Sequence, residues 1–249
     1  MKLKGIVPRT WKIIKRVFLI LFVAQLLYIV MLRWVNPPVT MTMIGSWFSL
    51  IGTDKSFHRD YVDLGEMSQH VKLAVIASED QLFPDHDGFD FKSIEKALKH
   101  NQKSKKIRGA STISQQVAKN VFLWQGRSWV RKGLEVYFTF MIELCWSKKR
   151  ILEMYLNVAE TGEGIFGVEA AAQAYYKKPA SHLNREEAAM IAACLPNPVK
   201  YTVNPPARIT AWRQKRILQQ MRNIAGDPDI AELITAPKAD KLSSKEADK

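Results

Sequence analysis

Between Ser78 and Gly88 the chain reads Ser-Glu-Asp-Gln-Leu-Phe-Pro-Asp-His-Asp-Gly, which places four carboxylates and a histidine within nine residues. A carboxylate half-buried where a helix meets a loop can take a proton from a substrate hydroxyl. Glu79, closing an apolar run, fits that general-base role better than the loop aspartates do. Two plainer readings compete: a solvated acidic loop, or a metal site from Asp80, Asp85, His86 and Asp87, whose oxygen spacing does not match an EF-hand. Further on, Arg108 to Asn120 reads Arg-Gly-Ala-Ser-Thr-Ile-Ser-Gln-Gln-Val-Ala-Lys-Asn. In a helix Gln115 with Lys119, and Gln116 with Asn120, lie at i,i+4 and form one polar stripe. Ser111 and Thr112 at the helix start, under that stripe, suit an anion such as a phosphate, or a network of sugar hydroxyls. It is not a P-loop, because the Gly-x4-Gly-Lys pattern is missing; a merely capped surface helix is the bland alternative. Arg127, Arg131 and Lys132 then precede Glu135. They can hold an anionic leaving group beside a second carboxylate, or form i,i+4 ion pairs on an exposed helix worth a few tenths of a kcal/mol.

These groups need elements to hold them. From Leu64 the apolar positions Leu64, Met67, Val71, Ala74 and Val75 recur at helical spacing and put Glu79 near a helix end. Thr112 with Gln115 stands at capping-box spacing, as does Asn184 with Glu187 in front of a helix that stops before Pro196. Helices are expected at 130–145, 148–159 and 166–177, and a last one opening at Asn204-Pro205 and closing at Gly226. In the 148–157 segment the apolar positions pack inward, and Asn157 is expected to tie the following glycine-rich turn. Residues 36–63 show no sustained period and are expected as connector, with short helix allowed. The polar tail, 227–249, is expected to be disordered. No alternating strand pattern appears, so the fold class is all-α. Cys145 and Cys194 are too few for a disulfide framework and sit in apolar helical surroundings.

The net charge of +13 is unevenly spread. Residues 1–35 hold seven basic residues (Lys2, Lys4, Arg9, Lys12, Lys15, Arg16, Arg33) and no acidic one. The remainder carries only a mild excess. From Val17 to Leu32 the one strongly polar residue is Gln25; carried to Val35, with Arg33 snorkelling, the stretch spans roughly 28 Å, close to a hydrocarbon core. The run is longer than a cleaved signal needs, and no small-x-small site follows it. An uncleaved single-pass anchor is therefore expected over 17–35, after a basic tail at 1–16 and before a connector at 36–59. The positive-inside rule leaves the N-terminus in the cytoplasm and the rest outside, at the plasma (inner) membrane. The aromatic and aliphatic residues Val121, Phe122, Leu123, Trp124, Trp129, Val130, Tyr137, Phe138, Phe140, Met141 and Trp146 are either core or a surface dipping into the bilayer. The basic run 92–108 lacks interleaved aromatics and lies outside the cytoplasm, which argues against nucleic acid; a basic loop over an anionic substrate or lipid heads fits better.

Taken in order, four motifs resemble the family 51 glycosyltransferases, the peptidoglycan glycosyltransferase domain: Glu-Asp-x2-Phe-x2-His-x-Gly at 79–88, Gly-x-Ser-Thr-Ile-x-Gln-Gln-x2-Lys-Asn at 109–120, Arg-Lys-x2-Glu at 131–135 and Lys-x2-Ile-Leu-x2-Tyr-Leu-Asn at 148–157. The resemblance covers roughly residues 60–215 of an expected domain at 60–226 and is to the monofunctional branch, with no room for an appended transpeptidase domain. It implies a lysozyme-like helical fold and polymerisation of lipid II into β-1,4 glycan strands with release of undecaprenyl diphosphate. By motif position it implies Glu79 as general base and Glu135 as a second acid, on the side of a divalent cation (Mg2+ or Mn2+). Ser111, Thr112, Gln115, Gln116, Lys119, Asn120, Arg127, Arg131 and Lys132 match substrate-binding positions, Lys119 and Arg127 those that hold the leaving diphosphate. Lipid II, the growing glycan strand and the phospholipid bilayer are the implied partners, and division or elongation proteins are candidates. A lysozyme-like hydrolase would leave Lys119 and Arg127 idle, and a silent scaffold would not need Glu79 and Glu135.

Overall fold

In the computed structural model, which describes residues 6–104, 109–126 and 128–235, with side chains from residue 10 on, the first helix is α1 (Ile6–Met31). Its segment Thr10–Met31, 22 residues of mean hydropathy 2.2, is long and apolar enough to cross a membrane. The helix lies several residues N-terminal to the expected span. Lysine and arginine break an apolar run but are good helix formers, so Lys12, Lys15 and Arg16 stay helical. The connector is not featureless: α2 (Met41–Leu50) is capped by Thr40, which accepts from the Met43 amide at 3.3 Å.

Then come β1 (His58–Arg59) and α3 (Gln69–Glu79), which ends on Glu79 as expected. Every residue of α3 from Val71 to Ala77 is buried, so this helix lies at the centre of the domain rather than on its surface. α4 (Phe91–Lys103) is followed by α5 (Ile113–Phe122), whose Thr112–Gln115 capping box is formed in full. α6 (Trp129–Cys145), α7 (Lys148–Val158) and α8 (Val168–Tyr176) sit close to their expected bounds. Between α7 and α8, β2 (Glu160–Gly162) and β3 (Ile165–Phe166) complete a small sheet of order β1-β3-β2. α9 (Arg185–Cys194) opens with the Asn184–Glu187 capping box. Its Ala188, Ala189, Ala192 and Ala193 are buried, and such small side chains let α3 and α10 (Arg208–Ile224) approach closely.

Three expectations are corrected. The Asn204–Pro205 peptide is cis, and α10 starts only at Arg208 after Ala207, so Asn204 caps nothing. Residues 228–234 of the supposed tail form α11 (Pro228–Ile234), capped by Asp227, with Ile230, Leu233 and Ile234 buried; the rest of the tail, 236–249, lies outside the described residues. The Asn157 side chain ties Val62, accepting from its amide at 3.0 Å and donating to its carbonyl at 2.9 Å, instead of the glycine turn. Both cysteines are free.

The anchor is fastened to the domain. Trp146 Nε1 donates to the Ile29 carbonyl at 2.8 Å, and Arg150 reaches the Leu32 carbonyl at 2.9 Å and the Val35 carbonyl at 2.9 Å. Tyr137 donates to Gln25 Oε1 at 3.2 Å, and Ile29 and Leu32 are fully buried. The large apolar residues expected around α6 divide into buried and exposed ones. Val121, Leu123 and Trp146 are core, while Trp129, Val130 and Phe140 point outward, Trp129 being 92% exposed.

Candidate active site

Glu79 lies at the C-terminal end of buried α3, where the chain turns out of the core. Its Oε2 accepts from Gln116 Nε2 at 2.9 Å, and its Oε1 from the Ser78 hydroxyl at 3.0 Å. Arg213 of α10 stands 3.9 Å from Oε1. The carboxylate is thus half-buried, as expected for a base, and every neighbour offers it a proton or a positive charge.

Asp80 is neither a solvated loop acid nor part of a metal cluster. It is buried; one oxygen accepts the Ile113 amide at 3.0 Å and both stand 3.1 Å from His86 Nε2. The Gly88 amide donates to His86 Nδ1 at 3.1 Å, so that nitrogen is the acceptor and Nε2 carries the proton given to Asp80. Thr112 Oγ1 in turn donates to the Gly88 carbonyl at 2.7 Å. Gly88 has φ +87, and a Cβ there would lie 2.7 Å from Thr139 Cγ2, so the loop and α6 close on each other only through glycine. The acidic loop and the start of α5 are one knot.

This knot corrects the anion expected at the α5 N-terminus. The Ile113 amide already faces an internal carboxylate, which is where the helix dipole favours negative charge. Thr112 and Gln115 are buried and spent on the cap, and Asn120 is buried with its Oδ1 accepting from Thr42 at 3.4 Å. The polar stripe therefore does not face one way: Gln116 turns to Glu79, Lys119 remains half-buried, and Ser111 is exposed at the lip.

Lys119 feels the charge of both carboxylates. Burial pushes its ammonium below the ordinary lysine range; Glu135 and Glu79 pull it back up, while Arg131 and Lys132 push it down. Glu135 is buried, 4% exposed, so its ion pairs are not the surface pairs of the bland reading. Arg131 Nη1 donates to its Oε2 at 3.0 Å and Lys132 donates to Oε1. Arg127 lies outside the described residues.

Both Glu135 oxygens are engaged by cations, and among the described residues no group of three or more His, Cys, Asp or Glu side chains could hold a metal ion. These residues do not make a protein-held metal site. Two groups close to Glu79 escaped the sequence reading as site residues, Arg213 and Tyr155, whose hydroxyl donates to Gln116 Oε1 at 3.3 Å. Tyr155 was visible as a position of the fourth motif and as an inward apolar position of its helix, without a role at the site, and Arg213 comes from a helix far along the chain, so no local spacing gives either one a role.

A family model described as Transglycosylase matches residues 47–222. The biosynthetic peptidoglycan transglycosylase of Shigella boydii serotype 4 (strain Sb227) is 60% identical over 172 residues, 69% of this chain and 71% of that protein. The protein of the same name from Escherichia coli (strain K12 / DH10B) matches with the same identity and coverage.

Proposed function

The chain belongs to the transglycosylase family, and on that footing we infer that it is a membrane-anchored peptidoglycan glycosyltransferase that polymerises lipid II into β-1,4 glycan strands. The observation that carries the chemistry is the surrounding of Lys119: a half-buried Glu79 and a buried Glu135 both act electrostatically on it, as do Arg131 and Lys132. Two separated carboxylates with an excess of cations suit a reaction that removes a proton at one point and releases a polyanion at another.

Glu79 takes the proton of the acceptor GlcNAc 4-hydroxyl. As it does, that oxygen forms a bond to the anomeric carbon of the MurNAc at the end of the growing strand. The bond from that carbon to the diphosphate oxygen breaks, and its electron pair leaves with undecaprenyl diphosphate. A single displacement turns the α-diphosphate into a β-link, with no sugar–enzyme intermediate. Lys119, Arg131 and Lys132 would meet the charge developing on the leaving group, and Arg127 would join them by its motif position; each such donor is worth about 10²–10³ in kcat. Ser111 at the lip and the strand-facing side of α5 would touch the sugars. A divalent cation brought in with the diphosphate would share the charge that develops on the leaving group, on the side of Glu135.

α1 anchors the chain in the membrane. By the positive-inside rule, the six cations that precede its apolar run support an N-terminus in the cytoplasm and a catalytic domain on the outer face of the plasma (inner) membrane. The outward Trp129, Val130 and Phe140 of α6 would lie against the same bilayer and its lipid-linked substrate.

The test is incubation of the detergent-solubilised full chain with labelled lipid II. Polymer that a muramidase cuts to disaccharide units is the expected product. Cleavage of preformed glycan without polymerisation would contradict the reading and indicate a hydrolase, and neither activity would leave a scaffold.

A further inference from the structure

Glu79 is enclosed by polar side chains from four helices, and their arrangement says more than that a carboxylate is present. Tyr155 of α7 is 1% exposed, and its hydroxyl has Gln116 Oε1 as its partner at 3.3 Å. A phenol that donates to an amide oxygen fixes which end of the amide points which way, so Gln116 Nε2 must face Glu79, and does at 2.9 Å. Arg213 of α10 is held independently. Its Nε donates to the Ala193 carbonyl at 3.0 Å, and its Nη2 lies 3.4 Å from the Ser78 hydroxyl and 3.9 Å from Glu79 Oε1.

We propose that Arg213 and the Gln116–Tyr155 pair are positioning residues for Glu79. Arg213 supplies a standing positive charge 3.9 Å from its Oε1, and the pair fixes the plane of the carboxylate that receives the substrate proton. The inference rests on the reading of Glu79 as proton acceptor and assigns Gln116 to the base rather than to the sugar.

The charged and titratable groups that face Glu79 come from every helix around it: Lys119 of α5, Tyr155 of α7, Cys194 of α9 and Arg213 of α10. Burial pushes the Tyr155 phenol well up and the Cys194 thiol to about 12, so both are neutral wherever the enzyme works. Lys119 is shared with Glu135. Arg213 is the cation committed to Glu79, and its contact with Ala193 ties it to α9, the helix against which α3 packs.

The experiment is the pH dependence of kcat/KM for lipid II polymerisation by the full chain, comparing wild type with Arg213→Gln, Arg213→Lys and Tyr155→Phe. Glutamine carries an N–H at about the position of arginine Nε and can still donate to the Ala193 carbonyl, so it removes the charge with the least disturbance. Arg213→Gln is expected to move the acid-side midpoint upward by at least ~0.3 pH unit, with KM within about fivefold, because a cation beside a carboxylate favours its charged form. Arg213→Lys should bring the midpoint most of the way back. Tyr155→Phe is expected to lower kcat about threefold or more with KM held, since a loosened amide costs geometry rather than affinity. A smaller shift in Arg213→Gln, or a larger rise in KM, overturns the charge role. Should Arg213→Gln not fold, Tyr155→Phe decides the question, and an unchanged kcat there overturns the positioning role. Glu79→Gln separates the two levels: activity retained in it removes the base reading itself, whereas its inactivity with an unmoved Arg213→Gln midpoint removes only the positioning.

Discussion

Lys119 carries a consequence for pH. Its ammonium loses its proton below the ordinary lysine range, because burial disfavours the charged form more than the two carboxylates restore it. On the proposed function, in which Lys119 meets the diphosphate, that cation is then lost as pH rises through the lowered value. The alkaline limb of kcat/KM is expected below the pH of an unperturbed lysine, and Lys119→Arg should push it upward, since arginine stays charged. A limb that Lys119→Arg leaves in place would contradict this. Glu79, Lys119 and Glu135 were singled out in the sequence by residue type and position at a helix end or within a helix, and the structure places Lys119 under the charge of both carboxylates. Gln115 and Asn120 were misjudged for a physical reason. Spacing of i,i+4 says which residues share a face but not which way that face turns, and both turn inward.

Among the elements, those with local signals were readable: the two capping boxes and the bounds of α6, α7 and α9 follow from side chains three or four residues apart. α11 was not, because averaging over a polar, Lys- and Asp-rich tail hides three apolar residues that share one side of a short helix. It seals the base of α3. Lys72 of α3 is buried and gives its Nζ to the Ile234 carbonyl at 3.1 Å, with burial and then Lys149 pushing its ammonium below the ordinary range. Ile230→Ala is therefore expected to destabilise the domain by about 2–5 kcal/mol, read from thermal or denaturant unfolding in detergent. A surface-like change within ~0.5 kcal/mol would show that α11 does not pack as described.

The whole molecule joins what the sequence kept apart. Composition separates an apolar span from a domain by a connector, but it cannot show that Arg150 folds back onto the end of α1, since that contact spans more than a hundred residues. Arg150 Nε and Nη2 donate to the Leu32 carbonyl at 3.0 and 2.9 Å, while Nη1 reaches the Tyr61 hydroxyl at 3.2 Å. With Trp146 on Ile29 this fixes how the domain sits against the end of α1. Arg150→Met frees the Leu32 and Val35 carbonyls, and trypsin should then cut after Arg33 about fivefold faster or more, as local opening becomes easier. Equal cleavage rates would mean that the clamp does not hold the junction.

The central claim is that Glu79 takes the acceptor proton. It is tested most directly by polymerisation of labelled lipid II with Glu79→Gln full chain in detergent, beside wild type and with an unfolding curve to verify the fold. Glutamine keeps the size of the side chain and removes the proton acceptor, so a folded variant that makes no glycan polymer is the expected result. A folded variant that polymerises within about tenfold of wild type would contradict the account, because a general base contributes about 10²–10⁴.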